Sequence, residues 1–364
     1  FRIDGALLST TVLPKEVGQR LIRHYKTMAD LDPVTAFTPQ DARHHYELGE
    51  KVLDVRLAVA PCIGGEKLSL RLLDPERIKH RLHELGLREA AQEQIEKWIQ
   101  HVHGMFLVVG PTGSGKTTTA YALLHELKGR NRSVVTIEDP IEYRIEGISQ
   151  MEINLRKGMT FGQALKSMLR LDPDYLFVGE IRDAESAHAA LEAASRGRVL
   201  ISTVHARDGV ATVQMLRSWG LTDTEIAAAL DVVVTERLVR TLCPNCREKD
   251  EPSEEEREWL EAIGVRPPDE CWRPVGCEDC RGIGYKGRTG IFEVWGLGRE
   301  DYRLILQGAD KLMLRENMVG RGHEWLIIDG LDKVRQGVTS LEEVKAASTL
   351  YAARLMPRIE KTDT

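Results

Sequence analysis

At 364 residues, with 42% hydrophobic and 29% charged side chains, the chain is long enough for two or three domains and is composed like a soluble globular protein. No apolar run approaches the roughly 18 residues that span a bilayer, so membrane contact is expected only through partners. The 50 basic and 56 acidic side chains leave a formal net charge of -6, which argues against a protein that coats DNA or RNA, because nonspecific nucleic-acid binding depends on phosphate neutralisation.

The opening FRIDGALLST has neither an initiator Met nor a charged-then-apolar leader, so it is read as the start of a fragment and not as a signal peptide. Helical spacing follows in KEVGQRLIRHYKTMA. The segments Lys51 to Pro61 and Lys67 to Asp74 then alternate as two strands around a Gly64-Gly65 turn. Together these predict a small α+β domain. The charged stretch Arg88 to Val102 reads as a helix leading into a second domain. There, apolar strands near Met105 to Gly110, Ser133 to Glu138, Tyr175 to Glu180 and Arg198 to Val204 alternate with amphipathic helices. That alternation predicts a mostly parallel α/β sheet. Beyond Leu242 two C-x-x-C pairs bracket EPSEEEREWLEAI, which reads as a solvated, capped helix. The tail from Arg299 onward reads as helical, with a capping-box signature in GVTSLEEVKAAS.

GPTGSGKTT, comprising Gly110, Pro111, Thr112, Gly113, Ser114, Gly115, Lys116, Thr117 and Thr118, fits G-x-x-x-x-G-K-[ST] between a strand and a helix. Glycines there let backbone N–H groups converge on phosphate oxygens, Lys116 adds a charge on the β and γ phosphates, and the Thr117 hydroxyl suits Mg²⁺. TIEDPIEY sets Glu138 at the end of the next strand, where a carboxylate positions water or simply ends the strand at a turn. LDPDYLFVGEIRD ends a third strand in Glu180, either a water-mediated Mg²⁺ ligand or a helix cap. LISTVHARD ends a fourth in His205, a γ-phosphate sensor or a structural histidine. Cys243, Cys246, Cys277 and Cys280 supply four thiolates, enough for a closed tetrahedral Zn²⁺ site in a segment too polar to build its own core.

These motifs in this order resemble the ATPases of type II secretion systems and type IV pili, a superfamily of hexameric motors that includes pilus-retraction and type IV secretion ATPases. TIEDPIEY resembles the family's aspartate box, LDPDYLFVGEIRD its Walker B box and STVHARD its histidine box. FRIDG and TPQDAR resemble its second N-terminal domain. LVRTLCPNC with GCEDCRGIGYKGRTGIFEV resembles the tetracysteine element of the secretion and pilus-assembly branch. The resemblance implies a PAS-like domain over 1–87, a linker helix over 88–102, a RecA-like P-loop ATPase core over 103–242, a tetracysteine zinc element over 243–298 and a helical region over 299–364. It implies that Glu138 activates water, that Glu180 serves Mg²⁺, that His205 faces the γ phosphate, and that Arg56 and Arg71 reach the phosphates. As residues alone, the two arginines read equally as edge charges. It further implies a cytoplasmic homo-hexamer that hydrolyses ATP and works through an inner-membrane platform protein. A ring-shaped nucleic-acid motor and a nucleotide-gated scaffold are the alternative readings. Two motifs depart from the family pattern. Arg198 of SRGR stands where Thr-Gly-His is usual, and Glu236 of ERL stands where Gln-Arg-Leu is usual, the latter read as a packing change beside the metal element.

Overall fold

The computed structural model describes residues 1–49, 51–73, 80–101, 103–128, 132–154, 158–323 and 325–348. The expected strand end at Asp74, the expected helix end at Val102 and the expected helical tail past Ser348 lie outside the described residues. The chain divides into two units, Phe1–Lys79 and His80–Thr364.

The first unit pairs β1 (Arg2–Ile3) with β2 (Ala6–Leu7), continues through helix α1 (Lys15–Met28) and ends in an antiparallel sheet of β3 (Gln40–Leu48), β4 (Lys51–Cys62) and β5 (Gly65–Leu73). Val55, Leu57 and Val59 are buried, whereas the residues between them are less so. This period of two turns one face of β4 onto Ala29, Tyr25 and Leu31. β3 escapes sequence reading because QDARHHYEL is polar and, among its described side chains, only Ala42 and Tyr46 pack on that core.

In the second unit, α2 (Glu89–Trp98) packs by Trp98, whose ring lies 4.8 Å from Phe106 and whose Nε1 donates to Asp231 at 3.2 Å. The chain then runs β6 (Gly104–Val109), α3 (Lys116–Leu127), β7 (Val134–Glu138), β8 (Ser149–Glu152), α4 (Phe161–Met168), β9 (Tyr175–Ile181), α5 (Ala184–Ser195) and β10 (Val199–Val204). It continues through α6 (Gly209–Ser218), α7 (Asp223–Ala229), β11 (Leu230–Leu242), β12 (Arg247–Asp250), α8 (Glu254–Ala262), β13 (Cys271–Pro274) and β14 (Tyr285–Gly296). Four helices follow: α9 (Arg299–Leu306), α10 (Lys311–Gly320), α11 (Leu326–Arg335) and α12 (Leu341–Ser348).

Among the described residues the central sheet has seven strands in the order β14-β11-β6-β10-β9-β7-β8, parallel except for β14. The expected α/β fold with a parallel sheet is therefore present. Every residue of β6, β7 and β10 is buried, as strands covered by helices on both faces require. Because these strands are parallel, the ends of β6, β7, β9 and β10 share one edge, the edge where such sheets bind ligands.

Three strands of this sheet, β8, β11 and β14, are not visible in the sequence. β11 carries Glu236, Arg237 and Arg240 within its apolar run, and β14 begins with YKGRTG. Both are sustained by pairing with each other from Val232↔Gly296 to Leu242↔Tyr285. Helix α8 corrects another expectation. Its Ser253 cap forms with Glu256 as predicted, but Leu260 is fully buried with Leu331 and Leu341 in a second core, and Glu256 accepts from Arg273. At Ser340 only half of the expected box is made. The hydroxyl accepts from the Glu343 amide, while the Glu343 carboxylate instead takes Arg240.

Candidate active site and metal centre

The loop from Gly110 to Gly115 owes its path to its glycines. Gly113 and Gly115 have φ of 80° and 106°, in the left-handed region that other residues avoid. A Cβ on Gly110 would lie 2.4 Å from Ser114 Oγ and 2.6 Å from the Glu236 carbonyl oxygen. Lys116 opens α3 and folds back over this loop, its Nζ donating to the Gly110 and Pro111 carbonyls at 2.9 and 3.0 Å. Burial holds the Lys116 ammonium below the usual lysine range, against the pull of Glu180 and Glu236. Thr117 is exposed on the first turn and Thr118 half-buried, whereas the Ser114 hydroxyl is buried and, among the described residues, has no hydrogen-bond partner.

The structure brings Lys116, His205 and Glu180 into one chain of contacts. Lys116 Nζ lies 3.3 Å from His205 Nδ1, His205 Nε2 lies 2.5 Å from Glu180 Oε1, and Arg182 pairs with the other Glu180 oxygen. Arg182 also reaches Asp139 at 3.5 Å, on the residue after Glu138. Glu138 itself is 3% exposed at the end of β7. Its carboxylate accepts from Tyr121 Oη, from Thr136 Oγ1 at 2.5 Å and from Gln150 Nε2 at 3.2 Å. Burial pushes the Glu138 carboxyl above the usual range, and those three donors pull in the other direction without overcoming it.

At the far end of the β11–β14 pair, the four Sγ atoms of Cys243, Cys246, Cys277 and Cys280 all lie within 4.8 Å of one another. Three of the contacts, Cys243 to Cys277, Cys246 to Cys280 and Cys277 to Cys280, are 3.8 Å. A tetrahedral ion with bonds of about 2.3 Å to sulfur requires edges of about 3.8 Å, so the cluster is compatible with zinc. Backbone amides are already aimed at the sulfurs. Gly276 N–H donates to Cys246 at 3.3 Å, and the N–H groups of Cys277 and Gly284 donate to Cys280 at 3.1 Å each. Burial works against ionisation of Cys280, but the Cys277 and Gly284 amides, together with the Cys246 and Cys277 side chains, outweigh it and hold the thiol down to about 6.

A profile of the family described as type II/IV secretion system protein matches residues 1–346. The chain belongs to this family. Curated relatives include the type II secretion system ATPase E of Vibrio cholerae serotype O1, 40% identical, and the type II secretion system protein E of Aeromonas hydrophila, 39% identical. Each alignment covers 94% of this chain and 68% of the relative. In fold, the chain is similar to the Legionella pneumophila ATPase DotB, at TM-score 0.68 and 22% identity over 93% of this chain and 85% of that one. It is likewise similar to the pilus retraction motor PilT solved with ADP, at TM-score 0.62 and 21% identity over 93% and 81%.

Arg56 and Arg71 belong to the first unit, where they are directly paired between β4 and β5, and Arg43 on β3 pairs with Arg56 from the other side. Residues opposite one another in antiparallel strands share a face, so three arginines form one cross-strand row. No sequence motif marks Arg43, and only the register of β3 against β4 brings it into the row. Arg198, the first family departure, pairs with Asp172 at 2.9 Å. The second departure corrects the sequence reading. Glu236 does not sit beside the metal element but beneath the phosphate loop, its Oε2 accepting from Thr119 Oγ1 at 2.8 Å.

Proposed function

We propose that this chain is an ATP hydrolase that powers assembly of a type II secretion pseudopilus or type IV pilus, acting as a cytoplasmic homo-hexamer through an inner-membrane platform protein. One observation carries the reading. A phosphate loop, a buried carboxylate and a lysine–histidine–glutamate chain meet at one sheet edge in a chain 40% identical to a secretion ATPase. In this reading Gly110 to Thr118 bind the nucleotide phosphates and Glu138 takes a proton from the attacking water. His205 faces the γ phosphate, and Arg56 and Arg71 stabilise the transferring group. Thr117 and Glu180 are the residues to hold Mg²⁺, which when bound neutralises phosphate charge. Cys243, Cys246, Cys277 and Cys280 hold Zn²⁺ in a structural role, because four protein thiolates leave no open position. No described helix is long and apolar enough to cross a membrane. The test is phosphate release from MgATP by the purified protein, expected to disappear in Lys116→Ala, together with retention on an immobilised platform protein. Absence of any Lys116-dependent hydrolysis would remove the motor reading.

A further inference from the structure

β11 runs beside β6 as far as the Thr235↔Val109 pair, then continues past the end of β6 and under the loop that follows it. Glu236 is the first residue of that overhang and is 2% exposed. Its carbonyl oxygen abuts Gly110, its Oε1 lies 2.0 Å from where a Cβ on Gly115 would stand, and its Oε2 accepts from Thr119 on the first turns of α3. Both ends of the phosphate loop and the helix it opens therefore rest on one residue. The next residue, Arg237, donates to the Glu236 carbonyl at 2.8 Å and to the Arg207 carbonyl at 2.6 Å, which ties this floor to the loop carrying His205. The charged groups facing the carboxyl are Lys116 on α3 and Arg237 on its own strand. On β14 the residue opposite Glu236 is Phe292, and the adjacent Glu293 is taken by Arg315.

We infer that Glu236 is a positioning residue for the phosphate loop, one whose carboxyl group links nucleotide binding to uptake of a proton. The inference rests on the nucleotide-site reading above. Burial pushes this carboxyl up to about 8, with Thr119, Lys116 and Arg237 pulling the other way. A polyphosphate arriving on the other side of the loop adds negative charge, which disfavours ionised Glu236 further. Nucleotide therefore binds the protonated form better. By linkage, binding takes up a proton near pH 8, and affinity falls as pH rises through that range, about tenfold for each unit by which the bound state raises the pKa.

The probe is MgADP, titrated by calorimetry between pH 6.5 and 9.5, with proton uptake read at pH 8 from buffers of different ionisation enthalpy. Wild type is expected to lose roughly tenfold in affinity over this range and to take up a measurable fraction of a proton. Glu236→Gln keeps the neutral shape, so it should match wild type near pH 7 yet show a flatter profile and less proton uptake. Glu236→Ala should bind more weakly at every pH. If Glu236→Gln retains the wild-type profile and uptake, or if Glu236→Ala binds like wild type, the inference is overturned. Thr119→Val provides a second route, since losing a donor to the carboxylate should move the affinity loss to higher pH, and an unmoved profile also overturns it. Failure of wild type to bind MgADP at all would instead strike the nucleotide-site reading itself.

Discussion

Lys116 Nζ stands 3.3 Å from His205 Nδ1, and this contact sets the histidine's tautomer. An ammonium donates only, so Nδ1 must accept, which leaves the imidazole proton on Nε2 for Glu180. Lys116 and Glu180 are thereby joined through one ring. Lys116→Ala should weaken MgADP binding by tenfold or more, because it removes the charge-assisted contact to phosphate. His205→Asn should leave binding within a few-fold and lower turnover by roughly 10 to 10². Glu180→Gln should depress turnover and raise the Mg²⁺ concentration needed for half-maximal rate. Nucleotide titration beside phosphate release separates these effects, and equal loss of binding in all three variants would refute the division of labour.

Glu138 is a buried carboxylate held by three donors, and the acid side of its pH dependence should follow their number. Glu138→Gln should bind nucleotide normally and lose about 10² or more in turnover, as for removal of a positioned proton acceptor. Tyr121→Phe removes a donor that favours the ionised form, so the Glu138 pKa rises further. The acid limb of kcat/KM should therefore move to higher pH in that variant. A limb that stays in place, or moves to lower pH, would exclude Glu138 as the titrating base.

The sites that are legible from sequence share one property. Gly110, Glu138, Glu180 and His205 each terminate or follow an apolar strand, and a parallel sheet must gather such ends at one edge. Local pattern was sufficient there because topology did the rest. Glu236 and Arg43 lacked that signal. Glu236 sits inside a strand, where a carboxylate looks like a solvated residue, and only the overhang of β11 beyond β6 puts it under the phosphate loop. Arg43 lies on a polar strand whose existence depends on pairing with β4. In both cases the information is in the register between strands, which no window of sequence contains.

Glu236 also makes a stability prediction that needs no ligand. Its carboxyl titrates near 4.5 when unfolded and is pushed up to about 8 by burial in the native state. Between those values the folded chain binds more protons than the unfolded one, so this residue's contribution to stability declines as pH rises from about 4.5 to about 8 and is constant above. Glu236→Gln lacks that decline. The difference in unfolding temperature, variant minus wild type, should become more positive from pH 5 to pH 8. A difference that is flat with pH would show that Glu236 does not titrate in this window.

The cysteine cluster closes the end of the β11–β14 pair. Cys243 follows β11 directly and its amide donates to the Gly284 carbonyl at 2.9 Å, just before β14 begins. Purified protein is expected to carry about one Zn²⁺ per chain, and Cys277→Ser should release it, since structural sites need all four ligands. Hydrogen exchange should then quicken at amides around Leu242 and Tyr285, while MgADP affinity at the other end of the sheet changes little. Unchanged protection after verified metal loss would show that the ion does not hold this hairpin.

Arg43, Arg56 and Arg71 are paired residue to residue across β3, β4 and β5. Like charges directly opposite one another oppose sheet formation, by a few tenths to about 1 kcal/mol per pair, so such a row is a poor device for stability and a good one for gathering around an anion. The proposed anion is the transferring phosphate, and an arginine that meets it only in the transition state contributes to turnover far more than to binding, on the order of 10³ or more. Arg71→Ala should therefore bind MgADP within a few-fold of wild type, hydrolyse MgATP poorly, and unfold at the same or a higher temperature without nucleotide. Loss of turnover without loss of stability marks a catalytic arginine, because loss of a structural one lowers both. If such arginines also link neighbouring sites in a hexamer, mixing Glu138→Gln subunits into wild-type rings should reduce activity faster than linearly. A linear decline in rings shown to have exchanged subunits would mean that the sites work independently, and a fall in both turnover and stability for Arg71→Ala would return the arginine row to an architectural role.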